Sequence, residues 1–170
     1  MEPNNSGPKV LNIPIRLIVI IFVCLVGLCL TVAGLVTNSW YVYYTVRAGG
    51  FRIQEGMWKR YWLGTEQDQS DSVPIASRAF VIMGVLVGVA CLILLIIFMV
   101  SSKKTKVVRI LSAISSFLAG ILILIGVIIF DTYFNPDYSY SFFLALFGGL
   151  LYLVTGILVL VDMRVTNYST

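Results

Sequence analysis

The chain has 170 residues, of which 59% are hydrophobic and 12% charged, with a net charge of +4. A soluble domain carries about 25% charged residues, and one this small leaves much of its surface exposed, so the composition excludes a water-soluble globule. The length fits a single domain, residues 1–170.

Residues 1–15 are polar, with Pro3, Pro8 and Pro14, and read as a flexible tail. Leu17 to Val36 is the first apolar run. It is longer than the roughly 7–15 apolar residues of a signal peptide, so it is expected to stay as a membrane helix. Three further runs follow at 79–100, 108–130 and 142–161. Each is close to the roughly 20 residues that span a bilayer. The runs contain no Asp, Glu, Lys or Pro, and one Arg at an edge, Arg109. Transporters and pumps keep ionisable groups or broken helices at mid-membrane; neither is expected here.

The flanks set the orientation. Lys9 and Arg16 precede the first run, and Lys103, Lys104, Lys106 and Arg109 surround the short second connection. The positive-inside rule then places both termini in the cytoplasm, with outer loops 37–78 and 131–141. The sequons at Asn4 and Asn167 would face the cytoplasm and stay unmodified. The basic loop could touch anionic lipid, though a topology signal explains it as well. Nucleic acid is not an expected partner, because the bases flank apolar runs and form no soluble patch.

The first outer loop holds all three tryptophans. Tyr41–Arg47 and Phe51–Gln54 are rich in strand formers around a turn at Ala48-Gly49-Gly50, which predicts a hairpin. Glu55-Gly56 predicts a second turn. Residues 64–74 are polar and are expected to be a mobile loop. Within this stretch Glu66, Asp68 and Asp71 lack the glycine and distal glutamate of a calcium loop.

Small residues allow helices to pack closely in lipid. Gly84 and Gly88, Ser112, Ser116 and Gly120, and Gly149 form such faces. They are expected either to seam the four helices together or to dock another protein. Cys24, Cys29 and Cys91 lie inside apolar runs and are expected to act as small hydrophobes. The chain has no histidine, and no nucleophile–base set, phosphate loop or metal spacing is legible. No catalytic residue, metal or cofactor is expected.

Trp40 followed by Gly56-Met57-Trp58 resembles the W…GLW signature of the claudin, peripheral myelin protein and epithelial membrane protein superfamily. Met57 stands in the usual leucine position. Ala76-Ser77-Arg78-Ala79-Phe80 is similar to that superfamily's start of helix two. Tyr138-Ser139-Tyr140-Ser141-Phe142 resembles its lens-fibre and epithelial members, and the loop sizes agree along nearly the whole chain. The resemblance implies a four-helix transmembrane bundle with a small extracellular β-sheet. It implies that Trp40 and the Gly56–Trp58 corner anchor the sheet at the membrane surface, that Arg78 sits at the outer end of helix two, and that the chain is no enzyme.

The superfamily's two cysteines after the signature are absent; Lys59, Arg60, Tyr61 and Trp62 stand there. A disulfide contributes about 2–4 kcal/mol, so the sheet must instead rely on Tyr41, Tyr43, Trp58 and Trp62. The carboxyl end also lacks the hydrophobic last residue of a scaffold-binding tail. The implied function is a plasma-membrane protein organising membrane or cell–cell contacts, with itself or other membrane proteins as partners. The alternative is an auxiliary subunit of a channel or trafficking cargo. A pore between copies, made anion-favouring by Arg47, Arg52, Lys59 and Arg60, is a third reading.

Overall fold

The computed structural model describes residues 15–37, 39–45, 51–62, 65–68, 72–100, 106–132 and 139–168. Where a run of apolar residues must satisfy its backbone without water, a helix is the local solution. Four form: α1 Ile15–Val36, α2 Ser72–Val100, α3 Lys106–Asp131 and α4 Tyr140–Tyr168. Each is long and apolar enough to cross a membrane. At 1.5 Å per residue the 22 residues of α1 extend about 33 Å, against a hydrocarbon core of about 30 Å.

Two helices outrun their apolar runs. α2 begins at Ser72, not residue 79, because Pro74 is harmless in a first turn where its missing N–H has no helical partner. α4 continues to Tyr168, beyond residue 161, carrying Asp162 and Arg164 into its last turns. Arg78 therefore lies in the second turn of α2, at the end that meets the hairpin.

α3 packs on both α2 and α4, and α1 packs on α4 and, less extensively, on α2. The α2–α3 and α3–α4 connections are short and the longer α1–α2 connection returns to the same end of the bundle, so consecutive helices alternate in direction. One end of the bundle gathers the end of α1 with the starts of α2 and α4. The loop between α1 and α2 folds over that end.

This loop contributes four strands: β1 Tyr41–Thr45, β2 Phe51–Glu55, β3 Lys59–Trp62 and β4 Thr65–Asp68. They pair antiparallel in the order β1-β2-β3-β4. Tyr41 sits opposite Glu55 and Thr45 opposite Phe51 in the first hairpin. In the second, Glu55 faces Arg60, and Gly56 N–H donates to the Lys59 carbonyl at 3.0 Å. Met57 and Trp58 are thus the two-residue tip of a tight hairpin. The expectation of a mobile loop over 64–74 is corrected in part. Thr65–Asp68 pair with β3, Lys59 opposite Asp68 and Trp62 opposite Thr65, although Thr-Glu-Gln-Asp has little strand preference of its own.

Candidate functional site

The hairpin tip and the segment leading into β1 meet the end of α1. The last carbonyls of a helix have no partner within it, and α1 finds one for each of three in turn. Thr37 donates to the Ala33 carbonyl from its N–H at 3.0 Å and its hydroxyl at 2.6 Å. The Trp40 indole N–H donates to the Gly34 carbonyl at 2.9 Å. The Trp58 indole N–H donates to the Leu35 carbonyl at 2.7 Å. The two signature tryptophans therefore work as side-chain caps of α1.

Other contacts spread the clamp to the remaining helices. Trp40 is fully buried, with its ring 4.8 Å from that of Phe130 and 6.0 Å from that of Phe142. Tyr41 stacks on Phe130 at 5.4 Å and its hydroxyl donates to Asp131 Oδ1, at the end of α3, at 3.2 Å. At the start of α4, Ser141 N–H donates to the Ser39 carbonyl at 3.2 Å, and Ser39 N–H donates to Ser141 Oγ at 3.2 Å. On α2, Arg78 Nε donates to the Met57 carbonyl, and its guanidinium lies 5.1 Å from the Trp58 ring centre. Met57 itself is fully buried, so the thioether fills the irregular space beneath the tip, a task suited to its flexible side chain.

Trp40 is enclosed by protein, and Arg78, in the second turn of α2, serves the hairpin through a backbone carbonyl and a ring face. Of the four aromatics expected to replace the disulfide, Tyr41 and Trp58 are tied to helix ends as described. The side chains of Tyr43 and Trp62 lie outside the described part.

The small-residue positions face inward. A Cβ on Gly84 would stand 2.6 Å from Ile123 Cγ1 and 3.1 Å from the Ala119 carbonyl oxygen, and one on Gly120 would stand 2.9 Å from the Gly149 carbonyl. Gly149 is filled from the α3 side by Ile123 and Leu124. Gly88 leaves the notch that receives the Tyr152 ring, whose hydroxyl is buried and unpaired among the described residues. Ser112 is buried and its hydroxyl returns to its own helix at Val108, 2.8 Å away. Ser116 crosses to α4, donating to the Tyr152 carbonyl at 2.5 Å. Ser77, which sequence reading passed over, does the same between α2 and α3, donating to the Gly126 carbonyl at 2.6 Å.

The opposite end differs. Lys103 and Lys104 lie outside the described residues, and Lys106 is exposed. Arg109 is not free for lipid: it pairs with Asp162 of α4 at 3.7 Å, the two side chains being 13% and 14% exposed. Its guanidinium also lies 4.5 Å from the Phe98 ring centre. The pair joins the first turn of α3 to the last turns of α4, at the ends of the candidate spans. Nothing in one sequence marks two residues so far apart as partners.

Among the described residues no three Cys, Asp or Glu converge on a common point. Cys24 and Cys91 are buried, and Cys29 faces outward. Most of the polar groups brought together at the sheet end are committed to backbone partners, and Tyr41 to Asp131, which suits holding a shape. The fold and this clamp define a multi-pass membrane protein built as four helices with a small sheet fastened to one end. No family model and no curated protein matches the chain.

Proposed function

We propose that this chain is a non-enzymatic four-span protein that organises membrane or cell–cell contacts, and that it is a divergent relative of the claudin, peripheral myelin protein and epithelial membrane protein superfamily. The observation that carries this reading is the capping of α1 by Trp40 and Trp58. These residues, with Met57 and Arg78, carry the sequence resemblance, and together they fasten a sheet to helix ends. A sheet held this way presents a fixed surface, which is what contact between proteins requires. In the same proposal the sheet is extracellular, the termini are cytoplasmic and the membrane is the plasma membrane.

The auxiliary-subunit alternative relied on small-residue faces free to dock a partner. Gly84, Gly88, Ser116, Gly120 and Gly149 are occupied by neighbouring helices, which favours the sheet as the working surface. The test is a mixing experiment with cells that lack endogenous contacts. Surface protein should concentrate where two expressing cells meet and hold them together. Uniform surface distribution without adhesion would reject the contact role. Recovery of a single stoichiometric membrane partner after crosslinking would support the auxiliary role instead. A cysteine placed in the β3–β4 hairpin should react with an impermeant maleimide from outside the cell; labelling only after permeabilisation would reverse the orientation.

A further inference from the structure

At the end opposite the sheet, a cleft of about 250 Å³ opens between the start of α1 and the last turns of α4. Its walls are aliphatic: Val19 and Ile20 on one side, Leu158, Val161 and Val165 on the other, with Arg16 and Asp162 at the same site. Two observations say what it suits. The first is charge. Among the described residues this end carries four bases, Arg16, Lys106, Arg109 and Arg164, and one acid, Asp162, which Arg109 already neutralises.

The second is the state of Arg16. It is exposed, and no hydrogen bond or ion pair ties it to another described residue. It stands in the first turn of α1, whose length matches the hydrocarbon core, so its guanidinium falls at headgroup depth. An arginine prefers the bidentate geometry of a phosphate. Below it the cleft offers only hydrocarbon.

We propose that the α1–α4 cleft binds one acyl chain of an anionic phospholipid, with Arg16 holding the lipid phosphate at its mouth. Packing the chain along Val19, Ile20 and Leu158 buries aliphatic wall that a rough bilayer contact would leave unevenly filled. The negative headgroup completes the charge of an end that otherwise has an excess of bases. This site differs from the Lys103–Arg109 region in both element and chemistry: Arg109 is spent on Asp162, and the contact is made by α1 and α4.

The test is native mass spectrometry of the full chain released from nanodiscs made of equal dioleoylphosphatidylserine and dioleoylphosphatidylcholine. The wild type should retain one phosphatidylserine about fivefold more often than phosphatidylcholine, the effect expected of a single cation at a membrane surface. Arg16→Gln should bring that ratio close to one, whereas Arg164→Gln, outside the cleft, should leave it unchanged. Val19→Trp, which fills the cleft from a lipid-facing position, should lower retention of both lipids. Equal retention by the wild type would overturn the proposal. So would an equal effect of the two arginine substitutions, which would mean diffuse attraction, or retention untouched by Val19→Trp. Displacement of the lipid by millimolar inorganic phosphate would likewise overturn it, since the apolar walls would then contribute nothing.

Discussion

The two ends of the bundle solve different problems with similar residues. At the sheet end Trp40, Trp58 and Arg78 all donate to backbone carbonyls, and the carbonyls belong to a helix terminus or a hairpin tip. Such partners cannot rotate away, so each bond fixes one element against another. At the opposite end Arg109 meets a side chain, Asp162, at 3.7 Å, and beside that pair a cleft remains open. The contrast lies in what joins the elements: backbone acceptors at the sheet end, a side-chain ion pair at the other.

The largest effect is expected at Trp40. Trp40→Ala removes a fully buried ring and an α1 cap, and should destabilise the protein by about 3–5 kcal/mol, read as loss of folded protein in a denaturant titration in detergent. Arg109→Met comes next. It removes the Arg109 contact of the partly buried Asp162 and should cost about 1–3 kcal/mol. The double variant Arg109→Met/Asp162→Leu should recover most of that loss, because an apolar pair of similar volume replaces the charges. If the double variant is as unstable as the single one, the ion pair is doing more than satisfying itself.

A smaller effect sharpens the contrast. Trp58→Phe keeps an aromatic ring under Arg78 but deletes the N–H to Leu35, and should cost about 1 kcal/mol. Its thermal midpoint should fall while helix content is unchanged. The smallest effect belongs to Arg16→Gln, an exposed position whose stability change should stay within about 0.5 kcal/mol in a detergent free of anionic lipid.

The sequence announces some of this plainly and hides the rest for physical reasons. Four spans are legible because about 20 apolar residues in a row admit few other structures. Helix ends are less so: Asp162 and Arg164 interrupt the hydropathy of α4, and the helix continues because Arg109 shelters the acid. The hairpin from Tyr41 to Gln54 is written in β-branched and aromatic residues, while β4 is strand only because β3 lies beside it. Trp40, Met57, Trp58 and Arg78 are conspicuous as residues, but their task is not. Capping depends on where the α1 carbonyls fall relative to a loop 23 residues on, and spacing alone does not encode that. One usable sign is Trp40, four residues after a helix whose last turns have no Lys, Arg or His to meet the exposed carbonyls.

Sheet and bundle form one body through the tryptophan caps. Hydrogen exchange in nanodiscs tests it directly, read at the Gly56 amide in the β2–β3 hairpin and the Ser141 amide that meets Ser39. Protection comparable to the first turns of α4 is expected at both in the wild type, with Gly56 losing it in Trp58→Ala while mid-helix amides keep theirs. Rapid exchange of Gly56 in the wild type, at the rate of an open peptide, would mean that the sheet is not fastened to the helices and would contradict the account.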